Sequence, residues 1–298
     1  MTPARRREAI AFYLTISPWL IGFLLLTVGP MLYSFYISFT RWDLITDPVW
    51  VGPRNYLERM PNDPRFWQSL KVTFIFTAAY VPLELAGGLG LAMLVRNQIR
   101  GVRIFRTIFY LPTVLAGVAF VVVWIWILDP RGGLINSALR MVGIQGPRWL
   151  LDPDWALPSL ILMSFWGWGR TMVIYLAGLQ SIPGDLYEAA AIDGASGLRR
   201  FWHVTIPMLT PTIFFNLILS VIGTFQTFTN AFVATNGGPL DATLFFVLYL
   251  YKRAFEQFDM GYASALAWVL FVIILVFTLL IFRTQRFWVF YAGERSDD

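Results

Sequence analysis

The chain has 298 residues, of which 57% are hydrophobic and only 14% charged, with a formal net charge of +5. Soluble domains carry about 25% charged residues, so the composition excludes an ordinary soluble enzyme and points to an integral membrane protein, its positive charge suited to anionic headgroups rather than nucleic acid. With no cysteine in the sequence, disulfides, thiol catalysis and cysteine-based metal sites are excluded, and redox compartment is left open.

Apolar runs of about 20 residues fit helices that cross a ~30 Å hydrocarbon core. The ~10-residue alternation of barrel strands does not occur. The expected fold is therefore all-α, a polytopic membrane protein with six transmembrane helices. Arg5, Arg6 and Arg7 precede a first span over 12–39, which is too long for a signal-peptide core and is read as a retained helix. An aqueous loop follows, with Gly52, Asn55 and Tyr56 in a G-x-x-N-Y pattern. The second span, 67–95, carries Glu84, a carboxyl expected to be hydrogen-bonded or, alternatively, to couple protons. The segment 96–106 holds Arg96, Arg100, Arg103 and Arg106 with no acid, which places it on the cytoplasmic side. The third span covers 107–128, and the outer loop after it bears Trp149 and Trp155 as interfacial anchors. The fourth span, 157–180, contains Trp166-Gly167-Trp168-Gly169-Arg170.

Between two apolar spans lies the polar stretch 182–207. Asp185 is placed to cap a short helix with Glu188 as its N3 residue, and Gly194 ends that helix after about two turns. A helix so short is marginal alone, and the run Ala189-Ala190-Ala191 leaves its backbone approachable by a second protein. The fifth span, 209–234, clusters Ser220, Thr224, Gln226, Thr227, Thr229 and Asn230. Asn236-Gly237-Gly238-Pro239 is a turn. Residues 244–258 read as an interfacial amphipathic helix, and the sixth span covers 262–282. The expected organisation is an N-terminus 1–11, a six-helix permease domain 12–283 and a tail 284–298.

Chemistry is conspicuous by what is missing. The only lysines are Lys71 and Lys252, and neither follows a glycine, so no phosphate-cradling Gly-Lys-Ser/Thr loop exists. The single histidine, His203, has no G-x-S-x-G serine and no cluster of metal-ligating residues to work with. No catalytic residue and no metal site is expected.

Glu188-Ala189-Ala190, Gly194 after three more residues, and Val204-Thr205-Ile206-Pro207 after nine more resemble the EAA loop of ATP-binding-cassette (ABC) importer permeases. Further likenesses to the carbohydrate-importer class are Asp193, the Asn-Gly-Gly-Pro turn, Gly261-Tyr262-Ala263-Ser264-Ala265 and the ending at Phe290-Tyr291, which look like the maltose-permease F-type or glycerol-phosphate A-type subunit. What the resemblance implies is an ABC importer permease fold of the maltose-permease type in a bacterial or archaeal inner membrane, with both termini cytoplasmic. It implies ATPase docking through Asp185, Glu188, Ala189, Ala190, Asp193, Gly194, Val204, Ile206 and Pro207. It also implies four kinds of neighbour: a second homologous permease in a heterodimer, two ATPase subunits that bind ATP and Mg, an extracytoplasmic solute-binding protein, and the lipid bilayer. No cofactor is expected in this chain itself.

Carried over by distance from Glu188 and from the Asn-Gly-Gly-Pro turn, the substrate cavity of that class falls on Trp166, Gly167, Arg170, Ser220, Gly223, Thr224 and Thr227. The last four also share one face of a helix by the i, i+3, i+4, i+7 rule. The alternative for Ser and Thr is helix-to-helix bonding, and the alternative for Arg170 is a structural pair with Glu84. The function implied is inward movement of a sugar, oligosaccharide or related polyol by alternating access. A glycerol-phosphate importer is the alternative within transport, and an ATP-independent channel or proton-coupled carrier is the alternative outside it.

Overall fold

The computed structural model describes residues 3–96, 101–114 and 117–290. Sequence readings that fall on Arg100, on residues 115–116 of the third span and on Tyr291 in the tail lie outside the described residues. Among the described residues, five helices are long and apolar enough to cross a membrane: α1 (Ala4–Ser38), α2 (Pro64–Arg96), α6 (Pro153–Gln180), α8 (Gly197–Ala234) and α10 (Met260–Trp288). A sixth span arises if α3 (Val102–Thr113) and α4 (Gly117–Ile127), bent by 99°, are taken together. The shorter helices are α5 (Leu134–Met141), α7 (Gly184–Ile192) and α9 (Phe246–Tyr251). Among the described residues the strands are β1 (Thr40–Arg41) and β2 (Val49–Trp50), an antiparallel pair with Thr40 opposite Trp50. The chain is an all-α multi-pass membrane protein.

Backbone contacts divide it into two units, Met1–Asp63 with Leu250–Val269, and Pro64–Tyr249 with Leu270–Asp298. In the first unit α1 exposes apolar side chains on every side, such as Leu25, Leu26 and Tyr13, which suits a helix immersed in lipid. Gly52 turns the chain with φ +64°. The buried Asn55 then donates to the carbonyls of Ser38 at 2.8 Å and Thr40 at 3.0 Å, so the G-x-x-N-Y pattern ties the outer loop to the end of the first span. Asp63 accepts from Arg253 at 3.0 Å and from the Tyr262 hydroxyl at 2.9 Å.

The second unit holds the close helix crossings. Asp152 accepts from the Asp154 amide at 2.9 Å and Pro153 opens α6, a Pro-at-N1 start that lies before the expected residue 157. Arg106 donates to the Val95 carbonyl at 2.7 Å, satisfying an open end of α2 from the basic segment. A Cβ at Gly169 would lie 2.1 Å from the Phe109 carbonyl oxygen, so α6 crosses α3 backbone to backbone, a small-residue contact of the kind membrane helices use. Gly169→Ala is therefore expected to lower the melting temperature in detergent by several degrees, at the upper end of the ~1–3 kcal/mol typical of overpacking. Gly22→Ala, with no neighbour within 4 Å, is expected to leave it unchanged. Equal melting of both variants would refute the crossing.

The segment expected to lie at the interface behaves differently. Leu244, Phe245, Phe246, Leu248 and Tyr249 are buried by protein. Phe245 meets Phe76 edge-on at 5.0 Å, and the Phe246 amide donates to the Thr73 hydroxyl at 3.0 Å. Over 244–249 the apolar side packs on α2, while Phe255 and Phe258 further along are exposed.

Candidate transmembrane cavity and docking loop

A cavity of about 270 Å³ opens between α2, α4, α6 and α8. Inside α6 the residues Phe165–Trp168 tighten into a 3-10 turn. Three residues per turn bring i and i+3 into line, and Ser164, Gly167 and Arg170 all line the cavity. The Tyr80 hydroxyl of α2 donates to the Ser164 carbonyl at 3.0 Å, compensating the bond disturbed by the tightening. From α8 the lining face is Ser220, Gly223, Thr224, Thr227 and, one turn earlier, Asn216.

Six of the seven cavity residues expected from the sequence are thus brought together: Gly167, Arg170, Ser220, Gly223, Thr224 and Thr227. Trp166 is not among them. The 3-10 turn rotates it toward Phe120 and Trp124, with ring centroids 5.7 and 5.6 Å away, and it lines a separate apolar groove. The hydroxyl of Thr224 bonds within its own helix, to the Ser220 and Val221 carbonyls, rather than across to another helix. Its lone pairs remain free to accept. Gly223 has no atom within 4 Å of where a Cβ would stand, so the cavity gains room there.

Arg170 is exposed to the cavity and has no hydrogen bond or ion pair among the described residues. Glu84 lines the same cavity, but its Oε1 accepts from the Thr171 hydroxyl at 2.9 Å, and no ion pair joins it to Arg170 among the described residues. A guanidinium within a span must face water, protein or ligand. This one faces open space with all five donors unused.

The short helix of the expected docking loop is α7. Pro183, not Asp185, stands at its N-cap, and the helix begins at Gly184, two residues earlier than a cap by Asp185 requires. Asp185 sits in the first turn, where its charge favours the helix dipole without a capping bond. The helix ends at Gly194 with φ +74°, where the amides of Gly194 and Ala195 bond back to the carbonyls of Ala191 and Ala190 in a Schellman closure. Asp185, Glu188, Ala189, Ile192, Asp193 and Gly194 are exposed, and Ile192 is 87% exposed. Ala190, Val204, Ile206 and Pro207 are half-buried.

Its underside is tied to the bundle by Tyr187, the residue that precedes Glu188. Tyr187 stacks under the Arg96 guanidinium at 4.8 Å, accepts from it at 3.1 Å, and bonds Thr205 at 3.0 Å. It also packs on the buried cluster that includes Ala92, Val95, Leu179, Ile182 and Leu209. Tyr80, Thr171 and Asn216 line the cavity beyond the residues expected from the sequence, and a polar side chain in mid-span is itself the signal that could find them. His203 is exposed, with Nδ1 3.0 Å from the Arg199 carbonyl oxygen. Among the described residues no group of three or more His, Cys, Asp or Glu is arranged to hold a metal ion.

The chain matches the family described as "Binding-protein-dependent transport system inner membrane component" over residues 70–288. It is 48% identical to a probable ABC transporter permease protein of Bacillus subtilis, over 98% of this chain and 95% of the relative. It is 35% identical to the trehalose/maltose transport system permease protein of Thermococcus litoralis, over 94% and 95% of the two chains. Among solved structures, a bacterial ABC transporter involved in the import of the acidic polysaccharide alginate has the same fold, with a TM-score of 0.83 at 22% identity over 94% of this chain and 96% of that one.

Proposed function

The chain belongs to the family of binding-protein-dependent transport system inner membrane components, and on that premise we propose that it is one permease subunit of an ATP-driven importer that moves a sugar, oligosaccharide or related polyol into the cell. A solute-binding protein delivers the ligand outside, a second permease completes a heterodimer, and two ATPase subunits supply the energy with bound ATP and Mg. The termini and the docking loop face the cytoplasm of a bacterial or archaeal cell, a reading supported by the acid-free basic segment 96–106. The observation that carries the proposal is the cavity, where hydroxyls, a carboxylate and a guanidinium converge within a span. Such a donor and acceptor set suits polyhydroxylated cargo, and the relative from Thermococcus litoralis is named for sugars.

ATPase closure drives import only if it favours the outward-open cavity over the inward-open one, because a ligand shifts an equilibrium by its differential affinity alone. α7 is the proposed point of entry for that energy. The test is sugar uptake by the complete transporter in proteoliposomes, with and without enclosed ATP and with and without the ATPase subunits. Uptake that requires both supports an importer. Uptake that persists without them would establish a channel or a proton-coupled carrier instead. The unpaired Arg170 favours a second reading of the cargo, an anionic polyol such as a glycerol phosphate.

A further inference from the structure

Glu84 and Arg170 face one cavity inside the membrane-spanning bundle and are not paired with each other. Thr171 donates to Oε1 of Glu84 at 2.9 Å, which leaves Oε2 without a protein partner among the described residues. On α8, Asn216 is 2% exposed, and its amide nitrogen makes no full hydrogen bond among the described residues, reaching the Tyr175 hydroxyl only as a weak contact. A buried donor left unsatisfied is costly and rare enough to need a reason.

These groups share one end of the cavity. α2 reaches the docking loop through Arg96, α6 runs into it, and α8 starts from it. Glu84, Thr171 and Asn216 are therefore the polar lining residues nearest that loop, and Ser164, Thr227 and Asn230 lie toward the other end.

We propose that Glu84 and Asn216 form a carbohydrate subsite at the docking-loop end of the cavity. The Glu84 carboxylate accepts from one sugar hydroxyl and the Asn216 amide donates to the oxygen of a neighbouring one, with Thr171 as the positioning residue. A carboxylate beside an amide offers an acceptor next to a donor, which matches adjacent hydroxyls that both give and receive. An anionic group is repelled from Glu84 and drawn to Arg170, so the two charges also orient the cargo. The proposal rests on the sugar-import reading above.

The test uses the complete transporter in proteoliposomes at saturating sugar-loaded binding protein. The probes are a panel of neutral and uronate-bearing di- and trisaccharides, then the monodeoxy analogues of the sugar transported best. Wild type is expected to prefer the parent sugar over one monodeoxy analogue by about tenfold, as for a hydrogen bond to a charged group. In Glu84→Gln that preference is expected to fall to about twofold or less. The binding protein is the same in both arms, so its own selectivity cancels, and the double comparison isolates the cavity. Asn216→Leu is expected to erase the preference for a different hydroxyl.

A Glu84 that merely braces α2 against α6 gives slower uptake with every wild-type preference intact, and that result overturns the subsite while sparing the importer reading. ATP-dependent uptake of no panel member by wild type overturns both. Because the chain has no cysteine, Glu84→Cys gives a check that does not depend on transport. A small methanethiosulfonate should label it and the best panel sugar should protect it, whereas labelling without protection counts against the subsite. Leu83→Cys, on an exposed neighbour, should show no protection.

Discussion

Glu188→Gln is expected to cut ATP-driven uptake about tenfold or more while leaving the permease folded. Glu188 lies on the exposed outer side of α7 in line with Asp185 and Ile192, three and four residues away. It forms no hydrogen bond or ion pair among the described residues, and with Pro183 at the N-cap it is not the N3 partner of a capping box. A surface substitution of that kind changes stability by about 0.5 kcal/mol at most. If the carboxylate meets a cation on the ATPase, removing one partner of such a pair costs about 2–5 kcal/mol, and 1.4 kcal/mol is already tenfold. The measurement is uptake beside ATPase retention on the tagged permease and its melting temperature. Reduced uptake and retention with unchanged melting fit the docking role, and full uptake with full retention removes Glu188 from the contact.

The motif located this helix because its spacing is set by local geometry: a positive-φ glycine must follow the last turn, and Gly194 does. The boundary at the other end escaped because a capping residue and a first-turn acid look alike in sequence, and only the backbone at Pro183 separates them. The membrane spans were legible for a simpler reason, since length and apolarity alone decide them. What the spans do internally was not. The 3-10 turn at Phe165–Trp168 depends on a hydroxyl from Tyr80, more than eighty positions earlier, and that turn decides that Gly167 faces the cavity while Trp166 faces Phe120.

The partner of Glu84 was similarly hidden. Arg170 and Thr171 are adjacent in sequence, but successive helix positions differ by about 100° in direction. That step gives the carboxylate a hydroxyl and leaves the guanidinium to the cavity. Within 244–258, the packing of residues 244–249 on α2 was not legible, because an apolar stripe has the same appearance whether lipid or a neighbouring helix covers it.

Arg170→Ala is expected to lower sugar uptake at least tenfold without lowering the melting temperature. Were Arg170 paired with Glu84, its removal would strand a buried carboxylate and cost about 3–5 kcal/mol. Thr171 holds Glu84 instead, so no native contact is lost, and relieving an unpaired charge within a span is neutral or favourable. The uptake loss follows from the five donors presented to an otherwise uncharged stretch of the cavity wall formed by Gly167, Ser220, Gly223 and Thr224. Arg170→Lys then separates the two cargo readings. A phosphate or carboxylate is held well by an ammonium as a point charge, so most uptake returns if the cargo is anionic. Neutral vicinal hydroxyls need the planar fork, which lysine lacks, so uptake stays low for a neutral sugar. Unchanged uptake in Arg170→Ala would take the residue out of the site, and a drop in melting temperature with it would return Arg170 to a structural role.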